Sequence, residues 1–151
     1  MTVSTSKLRV RYAETDQMGV VYYANYFVWF EIGRTDFLRH LGYDYATMER
    51  EDGCLLPVVE VTCRYKAPAR YDDELVLETR LLHLRTSVIK FGYRLTKTVT
   101  DGATVLLAEG ETIHVVVNRQ MQKVPIPEKY VAPLRAAVTT PVAKLVGPAS
   151  A

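Results

Sequence analysis

Residues 12–41 read YAETDQMGVVYYANYFVWFEIGRTDFLRHL and carry the strongest indication of the fold. Asn25 is a good N-cap residue and Gly42 stands where a helix C-cap belongs, so the segment between them predicts a long helix. Residues 26–30 are apolar on every side, and we expect this part of the helix to be buried all round. The later turns keep one apolar stripe, formed by Phe30, Gly33, Phe37 and Leu41. Because glycine disfavours a helix, we expect close packing against another backbone at Gly33.

Alternating apolar and polar residues predict strands in the rest of the chain, over 8–12, 59–66, 75–84, 89–96 and 105–117. Asp101-Gly102 is a hairpin signal, and the strand patterns indicate bulges near Thr79 and Gly110. A short helix is predicted over 128–138. Because no crossover helices are available to join parallel strands, we expect antiparallel pairing. These elements predict an α+β fold in which a five-stranded antiparallel sheet wraps around a long central helix.

The composition is that of one globular domain spanning residues 1–151, with flexible ends predicted at 1–5 and about 139–151. The net charge is only +2, and Lys and Arg are not concentrated in a patch, which argues against nucleic-acid binding. No apolar run is long enough to span a membrane, and the polar N-terminus lacks a signal-peptide core, so we expect a cytoplasmic protein. Cys54 and Cys63 fit no metal-ligand spacing and are expected to be free thiols.

A lone carboxylate, Asp16, lies in a short polar turn just before the helix, and Gly19 allows that turn to fold back. Such a turn brings an acidic side chain near the first N–H groups of a helix, which lack partners and carry the positive end of the dipole. A carboxylate that faces an anion-stabilising site suits hydrolysis of an acyl group. An aspartate in a turn more often only caps the loop, so the turn alone does not assign the chemistry.

Residues 15–26, TDQMGVVYYANY, resemble the signature of the 4-hydroxybenzoyl-CoA thioesterase family, including its YbgC-like acyl-CoA thioesterases. Two weaker matches follow in the family's order, YKAPARYDD at 65–73 and PIPE at 125–128. The resemblance implies a hotdog fold and a homodimer or a tetramer of dimers, with active sites at the dimer interface. It also implies hydrolysis of acyl-CoA or acyl-carrier-protein thioesters without a metal or redox cofactor, coenzyme A being part of the substrate.

Carried over to this chain, the resemblance implies that Asp16 is the acidic catalytic residue and that the Tyr23 N–H binds the oxyanion. Asp16 would either activate a water as general base or attack the thioester carbonyl directly. Many YbgC-like members carry a histidine where this chain has Tyr23, and a tyrosine there is closer to the hydroxybenzoyl type. A histidine-assisted mechanism is therefore not expected.

Three further residues are candidates for substrate binding. Glu31 lies about two turns into the helix. It is either a second carboxylate of the site or a partly buried helix residue paired with Arg34 or with a residue of the other subunit. Asn25 is a candidate for the acyl pocket. The resemblance implies that Arg85 is a candidate for binding coenzyme A phosphates, because it falls in the family's basic strand-end segment, before Thr86-Ser87. The remaining basic residues are expected to solubilise the surface, Glu14 is expected to face solvent, and His40, His83 and His114 are expected to be ordinary helix or sheet residues.

Two other functions fit the same fold. A hotdog dehydratase or hydratase needs a histidine paired with an acid in its pocket, and the turn here offers none. A non-catalytic acyl-binding module would need only the pocket, and it would bind acyl-CoA without releasing a free thiol.

Overall fold

The computed structural model describes residues 2–139 as an antiparallel sheet packed against a long helix. The strands are β1 (Val3–Arg9), β2 (Val58–Tyr65), β3 (Glu74–Arg85), β4 (Val88–Thr98) and β5 (Thr104–Val115). The helices are α1 (Asn25–His40), α2 (Tyr45–Asp52) and α3 (Glu128–Ala137). The five strands lie in the order β1-β3-β4-β5-β2, with every neighbouring pair antiparallel, so the predicted fold class is confirmed. None of the described helices is both long and apolar enough to cross a membrane.

The core forms where α1 packs on the sheet. Phe30 stacks on Tyr93 of β4 with ring centroids 4.3 Å apart, and Phe37 meets Phe91 edge-on at 5.7 Å. Phe30 and Phe37 are both fully buried, as the apolar stripe predicts. The helix ends as expected just before Gly42, which has φ +89°, although the C-cap residue is Leu41 and Gly42 follows it.

Gly33 allows α1 to approach β3 closely. A Cβ atom at this position would lie 2.4 Å from Oγ1 of Thr79 and 2.7 Å from Cδ2 of Leu77. Both distances are shorter than real Cβ atoms show, so the predicted close packing at Gly33 is confirmed, although the contact is with side chains of β3 and not with another backbone.

The start of the chain and the start of α1 differ from prediction. Strand β1 begins at Val3, so residues 3–5 are paired with β3 and do not form a flexible end. Residue 1 and residues 140–151 of the predicted flexible ends lie outside the described residues. The N-cap of α1 is Ala24, not Asn25, and no side chain caps the helix. Its first turns are also not buried all round, because Val28 is 48% exposed.

The strand irregularities fall near the predicted places but not on them. In β3 the register shifts between Leu81 and His83, not at Thr79. In β5 it shifts between Leu106 and Ala108, not at Gly110. Gly110 has another role, since a Cβ there would lie 2.6 Å from the Phe30 ring. Helix α2 was not predicted, because its sequence YATMERED is short and buries only Met48.

Both ends of the described chain lie beside β3. Val138 forms a parallel bridge with Leu81, and the Thr139 N–H donates to the Leu81 carbonyl at 2.8 Å. The Thr2 N–H donates to the Ala137 carbonyl at 3.3 Å. Residues 138–139 therefore continue the edge of the sheet that β1 begins.

Candidate active site

Asp16 lies at the tip of a tight hairpin. Its N–H donates to the Val20 carbonyl, and the Gly19 N–H donates to the Asp16 carbonyl, both at 2.9 Å. Gly19 has φ +76°, a left-handed conformation that glycine adopts without strain. The Asp16 carboxylate is half-buried, and its Oδ1 accepts the Met18 N–H at 2.8 Å. One carboxylate oxygen is thus held by the turn, while Oδ2 has no hydrogen-bond partner among the described residues.

The backbone of Glu14 joins this hairpin to the start of α1. Its carbonyl accepts the Tyr22 N–H at 2.9 Å and the Asn25 side-chain amide at 2.8 Å. The Asn25 N–H in turn donates to the Tyr22 carbonyl at 3.0 Å. Between these anchors, the N–H groups of Tyr23 and Ala24 have no hydrogen-bond partner in the described part of the chain. The structure therefore leaves two adjacent backbone donors free at the helix start.

The Glu14 side chain corrects a prediction, because it is buried and not solvent-facing. Glu14 is only 5% exposed, and its two carboxylate oxygens accept the Arg11 N–H and the Trp29 indole N–H, each at 2.8 Å. Burial alone would raise the pKa of this carboxyl, but the hydrogen bonds from Arg11 and Trp29 outweigh it and lower the pKa below 4.5. A buried anion thus fixes α1 relative to the hairpin. Its sequence signal would have been the Trp29 indole, which needs an acceptor when buried.

The loop before β3 supports the hairpin from the other side. The Val21 N–H donates to the Ala69 carbonyl at 2.8 Å, and the Arg70 guanidinium donates to the Gly19 carbonyl at 3.4 Å. A cleft of about 290 Å³ opens there. It is lined by Val20, Val21, Tyr23, Tyr26, Tyr65, Lys66, Ala67 and Pro68. The segment 65–73, which resembles the family's second motif, therefore contacts the segment 15–26. Tyr23 lines the cleft between them, and Asp16 is not among its lining residues.

Two tyrosine rings link Asp16 electrostatically to the helix start. The rings of Tyr22 and Tyr23 are 4.6 Å apart. The pKa of the Tyr22 phenol is raised, first by its hydrogen bond with Tyr23 and in smaller part by the negative charge of Asp16.

A profile of the Thioesterase-like superfamily matches residues 10–134, which include the hairpin, α1 and all of β2 to β5. The chain belongs to this superfamily. The predicted resemblance to YbgC-like thioesterases is thereby confirmed at the level of the family.

Two relatives and one solved structure show how close the superfamily match is. The chain is 38% identical over 123 residues to the putative acyl-CoA thioesterase YneP of Bacillus subtilis, covering 82% of this chain and 86% of that one. It is 33% identical over 126 residues to the acyl-CoA thioester hydrolase YbgC of Escherichia coli, covering 83% and 90%. The crystal structure of protein TT1821 from Thermus thermophilus superposes with a TM-score of 0.82 at 38% identity, covering 92% of this chain and all of that one, 100%.

A second, smaller cavity of about 90 Å³ lies beside the middle of α1. It is lined by Glu31, Arg34, Thr35, Leu38, Tyr45, Leu56, Phe91 and His114. His114 is fully buried there, and burial, with a contribution from the Arg34 charge, lowers its pKa to about 4. Its Nδ1 lies 2.9 Å from the Leu56 carbonyl, which can only accept, so Nδ1 carries the proton and Nε2 accepts from the Thr112 hydroxyl at 2.8 Å.

The other predicted substrate-binding residues are spread over the molecule. The Asn25 amide is occupied by the Glu14 carbonyl. Glu31 is exposed and lines the smaller cavity with Arg34, but the ion pairs among the described residues do not join them. Arg85 is exposed at the end of β3, about 36 Å along that strand from the loop that supports the hairpin. One copy of the chain therefore does not bring Arg85 to Asp16.

The structure agrees with the predictions for the cysteines and histidines. Cys54 and Cys63 are free thiols, as predicted. The Nδ1 of His40 bonds to the Ser4 hydroxyl at 2.6 Å near the end of α1, and His83 lies on β3. All three histidines belong to helix or sheet, and none lies on the hairpin of Asp16.

Proposed function

We propose that this member of the Thioesterase-like superfamily hydrolyses acyl-CoA thioesters to the free carboxylic acid and coenzyme A. The observation that carries the proposal is the hairpin of Asp16, which Glu14 joins to a helix start with two unpaired N–H groups. The relatives named acyl-CoA thioesterase and thioester hydrolase, which match most of the chain, support the same chemistry.

Asp16 is the proposed acid–base or nucleophilic group. As general base, its free Oδ2 takes a proton from a water molecule whose oxygen bonds to the thioester carbon. The C–S bond then breaks, and the thiolate of coenzyme A leaves and takes up a proton. As nucleophile, the carboxylate instead forms a mixed anhydride that water hydrolyses in a second step. The Tyr23 N–H, at the positive end of the α1 dipole, donates to the oxygen that becomes negative in either route.

The proposed substrate site extends from the hairpin along α1. Glu31 lies about 12 Å along the helix axis from Tyr23, since each residue rises about 1.5 Å. The cavity that Glu31 lines is therefore within reach of the far end of an acyl group whose carbonyl lies at Tyr23. Asn25 shapes the near end of this site through its bond to Glu14. The same arrangement would accept an acyl group on coenzyme A or on an acyl carrier protein.

A second copy of the chain completes the proposed enzyme as a homodimer or a tetramer of dimers. Strand β2 is at the edge of the sheet and pairs only with β5. Its valines Val58, Val59 and Val61 are 42%, 58% and 38% exposed, although apolar edge strands are normally covered. An assembly through β2 would also offer Arg85 of one copy to the coenzyme A phosphates bound by another. The reaction uses only groups of the chain, with no metal or redox cofactor, and we place it in the cytoplasm.

A thiol-release assay tests this function. Wild type, Asp16→Asn and Asp101→Asn are compared over short, long, branched and aromatic acyl-CoA substrates. Asp101 is a matched control, because it is exposed in the β4–β5 hairpin and its φ of +73° suits asparagine equally well. We expect wild type and Asp101→Asn to release thiol from at least one class and Asp16→Asn to lose at least 100-fold.

Three outcomes would overturn the proposal. Equal turnover by wild type and Asp16→Asn would remove Asp16 from the chemistry. Tight binding of acyl-CoA without thiol release over the whole panel would assign a binding module instead. Hydration of an enoyl-CoA without thiol release would assign a dehydratase, which the positions of the three histidines disfavour.

A further inference from the structure

The hydroxyl of Tyr65 forms a long-range hydrogen bond at the start of α1. Tyr65 is the last residue of β2, and its hydroxyl donates to the Tyr23 carbonyl at 2.8 Å. The two residues are 42 positions apart in the sequence, so the bond joins an edge strand to the helix start. The Tyr65 ring is held by an edge-on contact with Tyr26, with centroids 4.9 Å apart at 87°.

This hydrogen bond fixes a whole peptide group and not only a carbonyl. The Tyr23–Ala24 peptide is planar and trans, so its C=O and the Ala24 N–H point in opposite directions. Since the carbonyl is directed at Tyr65, the direction of the Ala24 N–H is also set. That N–H has no partner in residues 2–139, and neither has the N–H of Tyr23 before it.

A hydrogen bond to the carbonyl also makes the N–H of the same peptide a stronger donor, because bonded amide groups polarise one another. Burial, followed by the contact with Cys63, raises the pKa of the Tyr65 phenol. The phenol therefore remains a donor throughout the neutral and moderately alkaline range. The polarised Ala24 N–H lies next to the N–H already proposed for the oxyanion.

We propose that Tyr65 is a positioning residue and that Ala24 supplies a second oxyanion donor through the peptide that Tyr65 orients. The inference rests on the proposed thioesterase function. It assigns catalytic importance to a residue of β2 whose hydroxyl does not itself contact the reacting atoms. Removing only this hydroxyl should weaken stabilisation of the transition state and leave substrate binding nearly unchanged.

Tyr65→Phe tests the inference, because it keeps the ring and its contact with Tyr26. We expect kcat to fall about tenfold, less than for complete loss of an oxyanion donor, with KM within about twofold of wild type. Tyr71→Phe is the matched control, since Tyr71 is 58% exposed, packs only edge-on with Tyr12, and its hydroxyl has no hydrogen bond among the described residues. It should leave both constants unchanged.

An NMR measurement separates positioning from a general loss of structure. In protein labelled with 15N-alanine, Tyr65→Phe should move the Ala24 amide proton upfield while alanines far from α1 keep their positions. An unchanged Ala24 resonance, or a kcat equal to that of Tyr71→Phe, would overturn the inference. If wild type is active and Asp16→Asn is not, such a result leaves the thioesterase assignment standing. An inactive wild type would instead refute the proposed function itself.

Discussion

The indole N–H of Trp29 donates a 2.8 Å hydrogen bond to Oε2 of Glu14, a carboxylate that is only 5% exposed. The other oxygen of that carboxylate accepts the Arg11 N–H. Through this pair, the second turn of α1 contacts the segment that leads into the hairpin of Asp16. The position of the candidate catalytic aspartate relative to the helix therefore depends on one buried anion.

Glu14→Gln should destabilise the fold by about 2 kcal/mol, because an amide can present only one acceptor oxygen to two N–H donors. The hydrogen bonds lower the pKa of Glu14, so its stabilisation is present above pH 4.5 and is lost as the pH falls through the lower value of the folded state. The difference between wild type and variant should therefore shrink on acidification. Urea unfolding followed by circular dichroism at pH 7 and pH 3 measures this difference in the free energy of unfolding.

Glu109→Gln is the control for this comparison, since Glu109 is exposed on β5. Trp29 is the only tryptophan, so its fluorescence reports directly on the Glu14 contact. An equal free energy of unfolding for both glutamine variants at pH 7 would show that the buried anion has no structural role.

His114 should make the protein less stable in mild acid. Burial lowers its pKa to about 4, whereas an unfolded histidine titrates near 6.5. Below pH 6.5 the unfolded chain binds a proton that the folded chain does not, so the free energy of unfolding should fall by about 3 kcal/mol between pH 6.5 and pH 4. The charged group that faces His114 is Arg34, and it opposes protonation further.

Unfolding measured over that pH range isolates this effect. His114→Gln should be less stable than wild type at pH 7, because the hydrogen bonds to Leu56 and Thr112 are disturbed. Its free energy of unfolding should, however, change little between pH 6.5 and pH 4. His83→Gln on β3 is the matched control, and its free energy of unfolding should fall with pH as in wild type. The same pH dependence in both variants would contradict the assignment to His114.

Gly33→Ala should destabilise the protein although alanine favours helices. The new methyl group would lie 2.4 Å from Oγ1 of Thr79, and such overpacking costs about 1–3 kcal/mol, more than the gain in helix propensity. The Tm should fall by several degrees. The double variant Gly33→Ala/Thr79→Ala should recover part of the loss, because it removes the hydroxyl that the methyl group meets. The contact would be disproved if the double variant lost as much free energy of unfolding as the two single variants lose together.

A charge on β2 should break the proposed dimer. Val59 is 58% exposed on the β2 edge, and Val3 is 46% exposed on β1 at the opposite edge of the sheet. We expect Val59→Lys to sediment as a monomer and the matched variant Val3→Lys to sediment as wild type does. If both variants keep the wild-type mass, the dimer does not form through β2.

The elements with strong periodicity were predictable from the sequence, and those set by tertiary contacts were not. The stripe of Phe30 and Phe37 and the stop at Gly42 follow from local chemistry, and the structure confirms them. Gly110 looked like a bulge because glycine often marks one, but it is required by the Phe30 ring from another element. No local pattern could show that contact.

In the candidate site too, some features were predictable from the local sequence and others depend on tertiary contacts. The turn of Asp16 and the unpaired donor at Tyr23 could be inferred from residues 15–26. The burial of Glu14 depends on Trp29, and the role of Tyr65 depends on a residue 42 positions away. Arg85 was a candidate on motif grounds alone, and a single copy of the sheet keeps it far from the hairpin.

The hydrogen bond between Thr2 and Ala137 places two segments that are 135 residues apart in the sequence side by side. A short linker that joined residue 139 to residue 2, in place of residue 1 and residues 140–151, would connect them, and new termini could be opened at the exposed Asp101-Gly102 turn. Such a circular permutant would carry its ends between β4 and β5 and leave the segment from Asp16 through α1 uninterrupted. Reporter or affinity modules could then be fused at a point in the sequence remote from the candidate chemistry.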